Sequence, residues 1–248
     1  MSRRLLIAGP PLLLLLGLSV RHAPETPFNP LISAALIVLL ALPSYYHLAR
    51  SRDLVHAVIL IAGLSLLSMG VEAIGVMTGV PYGPFHYAAS IGTAVIGPVP
   101  WTVGFAYVPL LLGACTLAGR FLPGRPLFVQ AGASATILMV ADLVLDPGAA
   151  LLGFWIWAEP GSYYGIPVSN YIGWLITGTA YSALVLGVTH RSLPVPVATS
   201  LLLIVSFWTG VALGAGMHVP VAIGLGVIGS VGAVLLATPE GRPPTGAG

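Results

Sequence analysis

The stretch "LVHAVILIAGLSLLSMGVEAIGVMTGVPYGPFHY", Leu54 to Tyr87, decides the fold. From Leu54 to Gly79 it is a nearly unbroken apolar run, long enough as a helix to cross roughly 30 Å of hydrocarbon. One carboxylate, Glu72, interrupts it about two turns from the end. A loop crowded with Gly, Pro, Tyr and His follows. Ionisable groups at membrane depth are costly and face a cavity or a partner. The stretch therefore predicts a transmembrane helix that carries a polar site beside a structured loop.

Seven further runs lie near 4–20, 29–49, 100–119, 127–145, 170–189, 197–215 and 219–238. The expectation is an all-α polytopic membrane bundle of about eight transmembrane helices with two long outer loops. It forms a single integral membrane domain over 1–248, with short cytoplasmic tails at 1–3 and 240–248. Composition agrees: 57% of the 248 residues are hydrophobic and 6% are charged, where a soluble domain carries roughly a quarter charged. Mean hydropathy is +0.98. The single cysteine, Cys115, excludes an intrachain disulfide and a thiolate metal site. The N-terminus has the basic start and short apolar run of a signal peptide. Arg21 and His22, however, stand where small cleavage-site residues belong, so a first transmembrane helix is expected. The terminal "EGRPPTGAG" reads as a disordered tail.

All nine basic residues of the Lys and Arg class are arginines. Arg3 and Arg4 precede the first helix, and Arg50 and Arg52 follow the second. Arg120 and Arg125 follow the fourth, Arg191 the sixth and Arg242 the eighth. With eight alternating helices these share one side and only Arg21 takes the other. This positive-inside bias places both termini in the cytoplasm of a multi-pass cell-membrane protein. Nothing points to nucleic acid.

The long loops, about 80–99 and 147–169, then lie on the outer side. The second contains Phe154, Trp155, Trp157, Tyr163 and Tyr164. Aromatic residues favour the membrane interface in any case, but irregular apolar backbone survives there only when buried or lining a cavity. The clustering points to a cap over a pocket. "PYGPFHY" and "YYGIPVSNY" share Tyr-Gly, a Pro and a closing Tyr, a weak hint of a repeat.

Of seven acidic residues, Glu25, Asp53 and Glu240 sit at helix ends or in short loops. Glu72, Asp142, Asp146 and Glu159 remain, all toward the outer side. Asp142 and Asp146, in "ADLVLDPGA", are four apart and share a helix face. No basic residue stands near them in sequence. Carboxyls in apolar surroundings favour the neutral form, and two close together titrate as a pair. That is the make-up of a general acid. The bland alternative is a polar bridge between helices, with Asp146 capping a turn before Pro147. His86, in the first outer loop, is a local hydrogen-bonder or a proton carrier. His22, His47, His56, His190 and His218 are scattered without metal-ligand spacing, and there is no phosphate loop, dinucleotide fingerprint or nucleophile elbow. No metal or other cofactor is expected. Acid groups, aromatic walls and a membrane fold suit protonation of an electron-rich alkene, with aromatic faces stabilising the cation before water adds or a ring closes.

The patterns "EAIGVMTGVPYGPFHY", "DLVLDP" and "WIWAEPGSYYGIPVSNYIGW", in this order, resemble the carotenoid biosynthesis membrane proteins of the carotenoid 1',2'-hydratase type. That group includes bisanhydrobacterioruberin and γ-carotene hydratases. The resemblance covers about 65–190. It implies addition of water across the terminal C1'–C2' double bond of a ψ-end carotenoid, leaving a tertiary 1'-hydroxyl, without a redox cofactor. Carried onto this chain, it places Glu72, Asp142 and Asp146 at an acidic centre lined by Tyr82, Tyr87, Trp155, Trp157, Tyr164, Asn170 and Trp174. His86, Trp101 and Glu159 join them as candidate substrate-binding residues. The chemistry of the groups assigns Asp142 or Asp146 as proton donor, and Glu72, with His86 or Asn170, as the water-positioning base. A lycopene-type cyclase shares the protonation step, and a carotenoid-binding or transport protein is the non-catalytic alternative. The expected partners are a lipophilic carotenoid, membrane lipid and other enzymes of the same pathway.

Overall fold

The computed structural model describes residues 3–20, 22, 29–88 and 91–238. The expectations for Arg21, Glu25, Glu240 and Arg242, and for the tail 240–248, lie outside the described residues. Among the described residues there are eight α-helices: α1 (Arg3–Val20), α2 (Asn29–Ser51), α3 (Leu54–Thr78), α4 (Thr102–Phe121), α5 (Leu127–Leu151), α6 (Val168–Val188), α7 (Thr199–Gly214) and α8 (His218–Ala237). A short 3-10 turn, Val195–Ala198, leads into α7. All eight spans are long and apolar enough to cross a membrane.

The largest departure from the sequence expectation is α5, which runs through Pro147 to Leu151. Proline has no N–H, so the bond that position 147 would make to the Leu143 carbonyl is missing. The Tyr163 hydroxyl donates to that freed carbonyl at 2.9 Å. The helix can therefore continue without an unsatisfied acceptor in hydrocarbon.

Most residues of α4 and almost every residue of α7 are buried, so these two form the centre of the bundle. The surrounding helices turn apolar side chains outward, among them Leu12, Ile32, Ile59, Leu66 and Ile176. Lipid tails are as apolar as these residues, so close fit and polar bridges, rather than hydrophobic force, hold the helices together. A Cβ at Gly17 of α1 would strike the Phe207 carbonyl oxygen of α7, and one at Gly210 of α7 would strike the Leu14 carbonyl oxygen. The two backbones approach as closely as glycine permits. At α2, the Ser44 hydroxyl donates to the Val197 carbonyl at 2.5 Å and the Ser200 hydroxyl donates to the Ala41 carbonyl at 3.2 Å.

One end of the bundle gathers the arginines. Arg52 donates to the Thr189 carbonyl (2.8 Å) and the Ser192 hydroxyl (2.9 Å), tying the α2–α3 turn to the α6–α7 connection. Arg191 donates to the Arg125 carbonyl at 3.3 Å, and Arg3 to the Leu236 carbonyl at 3.3 Å.

At the other end the two long loops pair with each other. Strand β1 (Phe85–Tyr87), from the α3–α4 loop, runs antiparallel to β4 (Trp155–Trp157) from the α5–α6 loop. The pairing continues through Ala88 N–H to Phe154 (2.9 Å) and Ala158 N–H to Pro84 (3.0 Å). Strands β2 (Ala94–Ile96) and β3 (Val99–Pro100) form a hairpin inside the first loop. The two Tyr-Gly segments play different parts. Tyr82 is buried, whereas Tyr164 is exposed and its hydroxyl accepts from the Val219 N–H at 3.4 Å.

Candidate active site

The β1–β4 ribbon is a lid, and its alternation decides which loop residues face the carboxyls. Successive strand residues point to opposite faces. The register pairs Phe85 with Trp157 and Tyr87 with Trp155 on one face, and His86 with Ile156 on the other. Phe85 and Trp157 rings are 5.0 Å apart, Phe85 and Tyr87 5.3 Å, and Tyr87 and Trp155 6.3 Å. This aromatic face looks down into a cavity of about 50 Å³, whose remaining wall is Glu72, Tyr82, Asp146, Asn170 and Trp174. That is room for water-sized contents.

Glu72 lies six residues before the end of α3 at Thr78, about 9 Å down the helix. Its Oε2 accepts from the Tyr87 hydroxyl at 3.1 Å. Burial, reinforced by the charge of Glu72 and by this bond, pushes the Tyr87 phenol well above its usual value. Tyr87 is thus a fixed donor to Glu72.

Opposite them, Asp142 and Asp146 occupy one face of α5, both buried. Asn170 stands in the first turn of α6, just after Pro167. Its amide Nδ2 donates to Asp142 Oδ2 at 3.0 Å and also to Asp146 Oδ2. One amide thus clasps two carboxyls. Asp146 reaches the cavity, whereas Asp142 lies a turn deeper and meets it only through this clasp. Asp142 Oδ1 and the indole N–H groups of Trp155 and Trp157 are buried without a partner among the described residues. The two indoles line the cavity, so they are donors available to its contents. Among the described residues, no three His, Cys, Asp or Glu side chains are placed to hold a metal ion together.

Tyr82 closes the space between α3 and α6. A Cβ on Gly75 would come within 2.7 Å of one edge of its ring, and one on Gly173 within 2.6 Å of the other. Its hydroxyl donates to Thr177 Oγ1 at 3.3 Å.

Four expected lining residues do not reach this cavity. His86 points outward because it alternates with Phe85 and Tyr87. Trp101 precedes α4 and packs on Phe105 with ring centroids 5.7 Å apart. Glu159 is exposed beyond β4, and Tyr164 stacks edge-on against Tyr163 near α8. The lining residue that sequence reasoning missed is Phe85. The signal was the alternation of "FHY" against "WIW".

The structure thus sets a buried carboxyl pair and a third carboxylate beneath an aromatic lid inside a polytopic membrane bundle. The chain belongs to the carotenoid biosynthesis protein family, whose profile matches residues 28–231. Bisanhydrobacterioruberin hydratase of Haloarcula japonica is 40% identical to it over 121 residues, 48% of this chain and 41% of that protein. The aligned stretch thus spans less than half the length of this relative. No solved structure matches the chain.

Proposed function

We propose that the protein is a carotenoid hydratase, a lyase that adds water across the terminal C1'–C2' double bond of a ψ-end carotenoid. The observation that carries this reading is the Asn170-clasped carboxyl pair, set with Glu72 around a cavity of water-sized volume. The name of the Haloarcula relative supports it. Two adjacent carboxyls share a proton more readily than both ionise. Asp146, the member that lines the cavity, delivers the shared proton to C2'. The positive charge then falls on tertiary C1', beneath the indole and phenyl faces of the lid, which favour a cation. Glu72, oriented by Tyr87, takes a proton from water as the water oxygen bonds to C1'. Return of that proton through cavity water to the Asp142–Asp146 pair resets the site, and the net change is one water added.

Expression in a host that accumulates acyclic carotenoids tests the reading directly. The expected product is heavier than its precursor by one water. A new ring at unchanged mass would mean a cyclase, and no new pigment would mean a binding protein.

The arginine-rich end is proposed to face the cytoplasm of a cell-membrane protein, with both termini inside. A reporter fused after Gly248 is expected to read as cytoplasmic. An exoplasmic reading reverses the bundle and moves the acid site to the other leaflet.

A further inference from the structure

A second cavity, of about 280 Å³, opens at the arginine-rich end. Ile59, Leu60, Gly63 and Leu64 of α3 face Leu184 and Val188 of α6 across it, with Arg52, His56 and Thr189 at its polar rim. The chemistry above does not use it. Helices α3 and α6 both pack on α4 and scarcely touch each other, so a cleft lies between them.

One face of each helix runs from this groove toward Tyr82, which lines the acid cavity. On α6, positions 173, 177, 181, 184 and 188 recur at helical spacing and form one stripe. Gly173 and Thr177 at its top hold Tyr82, and Leu184 and Val188 at its foot wall the groove. On α3, positions 60, 64, 68, 71 and 75 do the same, joining the groove wall to Gly75, which meets the Tyr82 ring. Leu60 and Glu72, twelve positions apart, are separated by about 18 Å along the helix axis.

We propose that the α3–α6 cleft holds the body of the carotenoid. The reacting end sits under the lid, and the polyene runs down the cleft into the 280 Å³ groove. The proposal rests on the hydratase reading for its substrate. Its occupant is argued from shape. In hydrocarbon no hydrophobic force draws a chain into a groove, so fit selects. A conjugated polyene is straight and stiff, and it loses little freedom on lying between two helices. A flexible acyl chain must give up its rotamers. Tyr82, between Gly75 and Gly173, bars the top of the cleft. It is the side chain that must swing aside to admit the reacting end into a cavity now sized for water.

Gly63 provides the test, because a Cβ built there meets nothing within 4 Å. Gly63→Leu and Gly63→Phe therefore start in open space and add bulk to the groove wall. The purified protein and both variants are compared on a full-length acyclic carotenoid and on a short acyclic isoprenoid ending in the same double bond. The ratio of kcat/KM, long over short, is expected to fall by about tenfold, more for Phe than for Leu. Carotenoid retained on the purified protein, read by absorbance, should fall in parallel, with gel-filtration elution unchanged. Retention that falls in the variants although no form of the protein hydrates would uphold the cleft and sink the hydratase reading. Unchanged ratio and retention would overturn the cleft. So would a wild-type protein that retains no carotenoid, or variants that lose co-purifying phospholipid while binding carotenoid normally.

Discussion

Asp146→Asn lowers turnover by roughly 10²-fold or more, the typical contribution of a positioned general acid, while the protein still inserts and retains carotenoid. The amide keeps the size of the carboxyl and can still offer an oxygen to Asn170 Nδ2, so the clasp between α5 and α6 survives. What is lost is the transferable proton at the one member of the pair that lines the cavity. Asp142→Asn should cost less, because Asp142 does not line the cavity and meets Asp146 only through Asn170. Turnover and retained pigment, measured together in membranes, separate chemistry from folding. The assignment fails if Asp142→Asn is the more damaging change. If both amide variants and Glu72→Gln all keep near-full activity, the carboxyls are interhelical bridges and the proton comes from elsewhere.

By the proposed mechanism, Glu72→Gln should act on the second half of the reaction, leaving protonation intact and removing the group that takes the proton from the attacking water. Turnover to the hydroxylated product is expected to fall by roughly 10²-fold. The stranded cation should then return its proton from a different carbon or be attacked by a neighbouring double bond. Isomerised or cyclised carotenoids of unchanged mass should therefore rise as the hydrated product falls. Tyr87→Phe removes only the bond at Glu72 Oε2, so it should show the same product pattern more weakly. A loss of all products in Glu72→Gln would place Glu72 in the protonation step instead.

The membrane architecture was legible because it depends on long, local signals. An apolar run of about 20 residues and an arginine at its end can be read without knowing what either touches. The same holds for Asp142 and Asp146, whose spacing of four alone puts them on one face. The lid was not legible in the same way. Strands β1 and β4 are three residues each and pair across some 70 positions of sequence. The direction of His86 depends on a register that neither loop reveals by itself, and period-2 alternation over three residues is too short to stand out. Trp101, Glu159 and Tyr164 stand close to lining residues along the chain, but the actual grouping follows helix faces and strand register. Asn170 was expected as lining. Its position as the clasp between the two aspartates depends on how α6 packs on α5.

The bond from Tyr163 to the Leu143 carbonyl has a consequence for transplanting parts between relatives. It exists because Pro147 interrupts the ladder of α5, so the helix that bears the acids and the loop that carries the lid complete each other's backbone. A chimera that took the segment 152–167 from a protein without a hydroxyl at position 163 would strand a main-chain acceptor in hydrocarbon, at a cost of several kcal/mol. Replacing Pro147 by alanine in the same chimera would restore the helix's own donor and lift that requirement. Lid and proline are therefore a matched set, to be exchanged together or not at all.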